Sequence, residues 1–69
     1  MNPAPLVTIA IPAFNPQFFQ VALQSALRQT YPHLEVIVCD DSAGDEIREI
    51  VDACEVPATI CLRYVRNPQ

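Results

Sequence analysis

The sequence is poor in basic residues and has no long apolar run. It contains no lysine, and its four arginines stand against eight acidic residues, so the formal net charge is −4. A protein that binds a phosphate backbone needs a basic surface, so this charge argues against a nucleic-acid partner. Polar residues and prolines interrupt every apolar stretch before the roughly 20 residues that a membrane span requires. The first stretch is broken by Thr8 and Pro12 and follows no basic residue, so we do not expect it to be a secretory signal.

Glycine and paired cysteines are also scarce. Gly44 is the only glycine, so the G-x-G-x-x-G loop that cradles a dinucleotide is absent and a dinucleotide cofactor is disfavoured. The three cysteines, Cys39, Cys54 and Cys61, leave one thiol over from any disulfide framework and match no zinc-ligand spacing. This count favours a reducing compartment. We therefore expect a cytoplasmic protein, or one held at the cytoplasmic face of a membrane through other segments.

What the sequence does have is enough apolar residues for one small domain. Of its 69 residues, 51% are hydrophobic and 17% are charged, which is typical of a core-forming chain rather than a disordered one. Residues 1–5 hold two prolines and no periodic pattern, and they predict a disordered lead-in. The domain is expected to cover residues 6–69.

Strand-like and helix-like patterns alternate along this domain. Residues 6–11 and 35–39 are apolar on both faces, as in strands of a parallel sheet that is covered on each side, and Pro12 is expected to end the first. Residues 60–65 place Ile60, Leu62 and Tyr64 on one face and Cys61, Arg63 and Val65 on the other, a less uniformly apolar pattern that suits an edge strand. Helices are predicted from residue 16 to about residue 29 and, after a Ser42–Asp45 capping box, along an apolar stripe that ends at Cys54.

The start of the first predicted helix carries two local signals. Asn15 is a good N-cap residue, and Pro16 suits the first helical position, where its missing N–H costs nothing. Phe14 and Phe19 then occupy the positions of a hydrophobic staple.

The element order β-α-β-α-β predicts an α/β fold. Two successive right-handed crossovers place the strands side by side in the order 3-2-1, and the far edge of the first strand is left free for further strands. An apolar strand with an unpaired edge would expose its main-chain donors. We therefore expect an incomplete, Rossmann-like half-sheet and a chain that is a fragment.

Two polar clusters follow neighbouring strands of this sheet. Residues 12–15 come after the first strand, and residues 40–42 come after the second. Ligands of open parallel sheets lie outside the carboxyl ends of the strands, where a carboxylate accepts hydrogen bonds from ribose hydroxyls or a base N–H. Asp40 and Asp41 are therefore candidate nucleotide-binding residues.

Three separated motifs, at residues 7–15 (VTIAIPAFN), 22–32 (ALQSALRQTYP) and 35–42 (EVIVCDDS), occur in one order. Together they resemble the opening of a family 2 glycosyltransferase. The resemblance implies a GT-A type fold that binds a nucleoside-diphosphate sugar, with a UDP-sugar as the expected donor. It places Pro12, Ala13 and Phe14 near the base, Asp41 as an acceptor from the uracil or equivalent ring, and Asp40 beside it.

The resemblance also implies transfer of a sugar to an acceptor hydroxyl and leaves the acceptor open. In such enzymes a later Asp-x-Asp motif holds a divalent metal, Mg or Mn, and a still later acidic residue acts as the general base. Neither motif occurs in this chain, so no residue here is assigned a catalytic role and the chain alone is expected to be inactive. The position of Asp40 and Asp41 matches the base-binding pair rather than the metal motif.

Two other functions are compatible with parts of the pattern. One is a non-catalytic nucleotide-binding or interaction remnant, which would bind a uridine nucleotide without sugar transfer. The other is a phospho-accepting receiver domain, which also carries acidic residues after a strand. By resemblance, a receiver has a later lysine, which this chain lacks.

Overall fold

The computed structural model describes residues 5–67. The predicted lead-in therefore lies outside the described residues except for Pro5, whose carbonyl oxygen accepts a hydrogen bond from the Tyr31 hydroxyl. Five elements follow one another in the predicted order, with these bounds: β1 Val7–Ala13, α1 Pro16–Leu27, β2 Leu34–Asp40, α2 Glu46–Ala53 and β3 Ile60–Arg66.

The three strands form one parallel sheet in the order β1-β2-β3. This is the predicted 3-2-1 order counted from the other edge, so the topology is confirmed. The strands are in level register, because Ala13 lies opposite Asp40 and Asp40 lies opposite Arg66. The ends of all three strands, and the residues that follow them, therefore lie along one edge of the sheet.

Pro12 lies inside β1, so the prediction that it ends the strand is wrong. Pro12 is in register with Cys39, and the strand continues to Ala13. The carbonyl oxygen of Ala13 faces β2 and accepts a hydrogen bond from the Asp41 N–H. Main-chain groups of successive residues in a strand point to opposite sides, so Pro12 faces the outer edge of the described sheet, where its missing N–H removes no ladder bond.

Both helices cover the same face of the sheet, where they contact each other, as the right-handed crossover rule predicts for two successive crossovers in the same direction. Side chains of β2 alternate accordingly between buried and half-buried positions. No element within residues 5–67 covers the second face, so the prediction that β1 and β2 are covered on both faces is wrong for this part of the chain. In the part of the chain that the structure describes, the core consists of ten buried side chains: Ile11, Ala13, Phe19, Leu23, Ala26, Leu34, Val36, Val38, Ile47 and Ile60.

The first helix begins as predicted. The Asn15 Oδ1 atom accepts hydrogen bonds from the N–H groups of Gln17 at 2.9 Å and Phe18 at 3.3 Å, and Pro16 takes the first helical position. Phe19 packs in the core, whereas the Phe14 side chain is 76% exposed. The predicted staple therefore buries little of the Phe14 ring.

The second helix begins later than a Ser42–Asp45 capping box requires, so that prediction is wrong. Asp45 is the N-cap residue and makes no side-chain capping bond. Ser42 is instead buried and directs its hydroxyl to Asp40. The predicted apolar stripe of α2 is confirmed, since Ile47 is buried and its neighbours on the stripe pack against the core.

Candidate nucleotide-binding site

A cavity of ≈ 380 Å³ lies at the carboxyl ends of β1 and β2. Two of the predicted site residues line it, Phe14 directly after β1 and Asp41 directly after β2. The remaining lining comes from Pro16 at the start of α1, the loop of residues 42–44 and Glu46 at the start of α2. Adjacent parallel strands thus bring the two sequence clusters together, as the pattern predicts.

Asp40 is the last residue of β2, next to Asp41 in the chain, and is completely buried. Its Oδ1 atom accepts hydrogen bonds from the Ser42 N–H at 2.8 Å and the Ser42 hydroxyl at 2.5 Å. Its Oδ2 atom accepts a hydrogen bond from the Tyr64 hydroxyl. Burial works to raise the pKa of Asp40, but the hydrogen bonds from Ser42 and Tyr64, together with the charge of Arg66, outweigh it and lower the pKa. Asp40 therefore stays ionised inside the fold.

The pKa of Tyr64 shifts in the direction opposite to that of Asp40. Burial and the hydrogen bond to the Asp40 carboxylate raise the pKa of the Tyr64 hydroxyl, so the phenol remains a proton donor. The Arg48 guanidinium lies 5.8 Å from the centre of the Tyr64 ring. The Asp40–Tyr64 pair thus ties the end of β2 to β3.

Asp41 is exposed and is held from both neighbouring strands. Its main-chain N–H donates to the Ala13 carbonyl oxygen at 2.8 Å. Its Oδ1 atom accepts a hydrogen bond from the Asn67 side-chain amide at 2.9 Å. The carboxylate therefore has a defined place at the mouth of the cavity.

The end of β3 contributes residues that sequence reasoning did not single out. Arg66 donates to the Gly44 carbonyl oxygen at 2.9 Å and to the Asp45 carboxylate at 3.1 Å, and the Asn67 N–H donates to the Asp40 carbonyl oxygen at 3.0 Å. We call Tyr64, Arg66 and Asn67 the β3-end clamp. Their position at the carboxyl end of a third parallel strand was a signal that could have identified them.

The other two predicted site residues lie beside the cavity rather than in it. The Ala13 side chain is 1% exposed, so Ala13 acts on the site through its carbonyl oxygen. Pro12 is exposed and lines a neighbouring depression of ≈ 370 Å³ together with Phe14 and Phe18. The structure thus separates Phe14 and Asp41, whose side chains reach the cavity, from Pro12, Ala13 and Asp40, which lie around it.

The described residues do not fit a divalent metal. Within residues 5–67 no group of three or more His, Cys, Asp or Glu side chains is placed to hold one. Asp40 already accepts three hydrogen bonds from Ser42 and Tyr64. Neither helix in this part of the chain has the length and hydropathy needed to cross a membrane.

Comparison with known proteins agrees with this geometry. The sequence model described as glycosyl transferase family 2 matches residues 8–69. The chain belongs to the family 2 glycosyltransferases. The match includes β1, β2 and the residues that line the cavity, so the resemblance noted in the sequence is confirmed.

Several curated glycosyltransferases are similar to this family 2 chain. The UDP-Glc:alpha-D-GlcNAc-diphosphoundecaprenol beta-1,3-glucosyltransferase WfaP of Escherichia coli is 37% identical over 59 residues, which are 84% of this chain and 24% of the relative. An uncharacterized glycosyltransferase of Rickettsia prowazekii (strain Madrid E) is 40% identical over 93% of this chain and 20% of its own length. The hyaluronan synthase of Pasteurella multocida is 42% identical over 75% of this chain and 6% of its own length.

The chain thus spans about a quarter or less of the length of these relatives. No solved structure gives a significant match.

Proposed function

We propose that this chain forms the nucleotide-binding part of an enzyme that transfers a sugar from a nucleoside-diphosphate sugar to an acceptor hydroxyl. One observation carries the proposal: the exposed Phe14 ring and the Asp41 carboxylate line a single cavity at the carboxyl edge of the sheet. An aromatic face can stack on a pyrimidine base, and a hydrogen-bond acceptor can pair with the ring N–H of uracil.

In the proposed complex the base stacks on Phe14 and donates its ring N–H to Asp41. Pro12 and Ala13 shape the β1 side of the base site, Ala13 through the carbonyl oxygen that holds Asp41. Asp40 is a positioning residue, since its buried carboxylate organises Ser42 and Tyr64. Residues 12–14 and 40–41 thus act together, with two of them touching the base.

The donor is proposed to be a UDP-sugar. Uracil carries a ring N–H at the position where Asp41 can accept a hydrogen bond, and the name of the Escherichia coli relative gives UDP-Glc as its donor. We further propose a cytoplasmic location, including the cytoplasmic face of a membrane. In support, Cys39, Cys54 and Cys61 are all free thiols, as expected in a reducing compartment.

The test is a titration of UDP into the protein by isothermal calorimetry. Asp41→Asn replaces an ionised acceptor with a neutral amide and should weaken UDP binding by about tenfold or more, since hydrogen bonds to charged groups contribute about 1.5–3 kcal/mol. Asp52→Asn is the matched control, because it removes the same charge from an exposed carboxylate on α2, outside the residues that line the cavity. Unchanged affinity in Asp41→Asn would remove Asp41 from the site.

Sugar transfer needs a second measurement. The protein as it is naturally produced should release UDP from a UDP-sugar only when a glycan acceptor is added. Saturable UDP binding without transfer to any acceptor would instead favour the non-catalytic nucleotide-binding remnant.

A further inference from the structure

The Asp41 carboxylate is held by a residue at the end of the third strand, and this contact bears on base selection. We infer that Asn67 is a positioning residue that fixes Asp41 as a hydrogen-bond acceptor and thereby selects uracil over cytosine. The inference rests on the proposed nucleotide site. It extends that site from the ends of β1 and β2 to the end of β3.

The first step of the argument is the fixed geometry of Asp41. Its main chain is bonded to β1 through Ala13 at 2.8 Å, and its side chain is bonded towards β3 through Asn67 at 2.9 Å. An exposed aspartate without such bonds samples several rotamers, and ordering it on ligand binding costs free energy. Because Asn67 orders the carboxylate beforehand, that cost is reduced.

The second step concerns which group donates. A carboxylate only accepts hydrogen bonds, so the Asn67 amide must present its NH2 group to Asp41. This donor holds Oδ1 and keeps the carboxylate oriented as an acceptor. Uracil offers an N–H at ring position 3, whereas cytosine has a bare acceptor nitrogen there. The donor of cytosine in this region is the exocyclic amino group at position 4, which a carboxylate free to turn can reach. A carboxylate fixed opposite position 3 instead pairs with uracil and opposes the bare nitrogen of cytosine, and a site built around an N–H rejects the analogue that lacks it.

The third step separates Asn67 from the rest of the β3-end clamp. Tyr64 bonds the buried Asp40, and Arg66 bonds Gly44 and Asp45. Asn67 is the residue of the β3-end clamp whose side chain bonds Asp41, a carboxylate that lines the cavity. Its main-chain N–H also bonds the Asp40 carbonyl oxygen, and an alanine at this position can still form that bond. Asn67→Ala thus removes the contact with Asp41 while the backbone anchor remains.

The experiment measures dissociation constants for UDP and CDP in the wild type, Asn67→Ala, Asp41→Ala and the double variant. The two nucleotides carry the same diphosphate, so their ratio reports base selection. Asn67→Ala should weaken UDP binding about 3- to 10-fold, the range of one hydrogen bond, and should lower the UDP preference by a similar factor. In the Asp41→Ala background the same change should alter UDP binding less than about twofold, because coupled residues are not additive.

The matched control is Arg63→Ala. Arg63 lies on the same strand, and its guanidinium pairs with Glu35 on the face away from the helices. UDP and CDP binding should both be unchanged in this variant. A purely structural loss at the end of β3 would instead weaken UDP and CDP equally.

Five outcomes would overturn the inference, and they are distinguishable. Equal weakening of UDP and CDP in Asn67→Ala, or an undiminished effect in the Asp41→Ala background, refutes the role of Asn67 alone. Full UDP affinity in Asn67→Ala, with weakened UDP binding in Asp41→Ala, also refutes the role of Asn67. This result would leave the proposed nucleotide site intact. Absence of UDP binding in the wild type, or full UDP binding in Asp41→Ala, overturns the proposed site itself.

Discussion

The two faces of the sheet differ in what covers them, although the same three strands supply both. On the helix-covered face, Val36 and Val38 of β2 are completely buried. On the open face, Ile37 and Cys39 of the same strand are half-buried. The apolar character of β2 is similar on the two faces, so it is the crossover direction rather than side-chain hydrophobicity that decides which face is packed.

This difference places the core and the candidate site on one face. The alternation that buries Val36 and Val38 also buries Asp40 at the end of β2. Asp40 is retained there because Ser42 and Tyr64 satisfy its oxygens. Asp41, the next residue, follows the end of β2 and lines the cavity. The packed face therefore supports the loop that presents Asp41, and the open face contributes little to it.

The largest difference in stability between the two faces is expected when one isoleucine on each face is replaced by alanine. Ile47→Ala removes a completely buried side chain of α2 and should lower the free energy of unfolding by about 2–5 kcal/mol. Ile37→Ala makes the same chemical change on the open face and should cost less than about half as much, because less area is buried. Urea unfolding followed by circular dichroism measures both.

Equal losses in the two variants would break the comparison. They would mean that the open face is packed in solution, by a second copy of the chain or by a partner. Repeating the unfolding at several protein concentrations separates these cases, since self-association makes the apparent stability depend on concentration.

The next largest effect is expected at Asp40. Asp40→Asn replaces one accepting oxygen with an NH2 group that faces a hydroxyl or N–H donor from Ser42 or Tyr64. The loss of a charged acceptor and the unpaired donor should cost about 1–3 kcal/mol at neutral pH. The charge-matched control is Asp52→Asn on the exposed side of α2, which should change the free energy of unfolding by less than about 0.5 kcal/mol.

The difference in stability between wild type and Asp40→Asn should depend on pH, because the pKa of Asp40 is lowered in the fold. A carboxyl group whose pKa is lower in the folded than in the unfolded state stabilises the fold above its unfolded pKa, about 3.9. That contribution is lost as the pH falls below this value and through the folded pKa. The difference in the free energy of unfolding between wild type and Asp40→Asn should therefore decrease as the pH is lowered from 7 to 2. A gap that stays constant over this range would contradict the role of the Asp40 charge.

Much of the fold was predictable because local signals and topology agree. Asn15 and Pro16 fix the start of α1, and the crossover rule fixes the order of the strands. Ser42 is a false helix-cap signal, since a serine three residues before an acidic residue resembles a helix cap whether or not a neighbouring carboxylate competes for its hydroxyl. Here Asp40 takes that hydroxyl, and the competition depends on burial that sequence alone does not report.

The candidate site was predictable in part for a related reason. Phe14 and Asp41 follow neighbouring strands, so the topology alone brings them together. The separation of Asp40 from Asp41 into a buried and an exposed carboxylate depends on the strand ending between them. Asn67 was missed because its contact with Asp41 spans 26 residues of sequence and requires the level register of β2 and β3.

The smallest expected effect concerns a charge pair on the open face. Arg63 lies 3.6 Å from Glu35, and the Arg63 side chain is 60% exposed. Solvent screens such a pair, so Arg63→Ala should lower the free energy of unfolding by no more than about 1 kcal/mol, and by less at 1 M salt. Urea unfolding at 0.05 M and 1 M sodium chloride measures both values. A salt-insensitive loss well above about 1 kcal/mol would show that this pair is shielded from water, and the contrast between a packed face and an open face would then fail at β3.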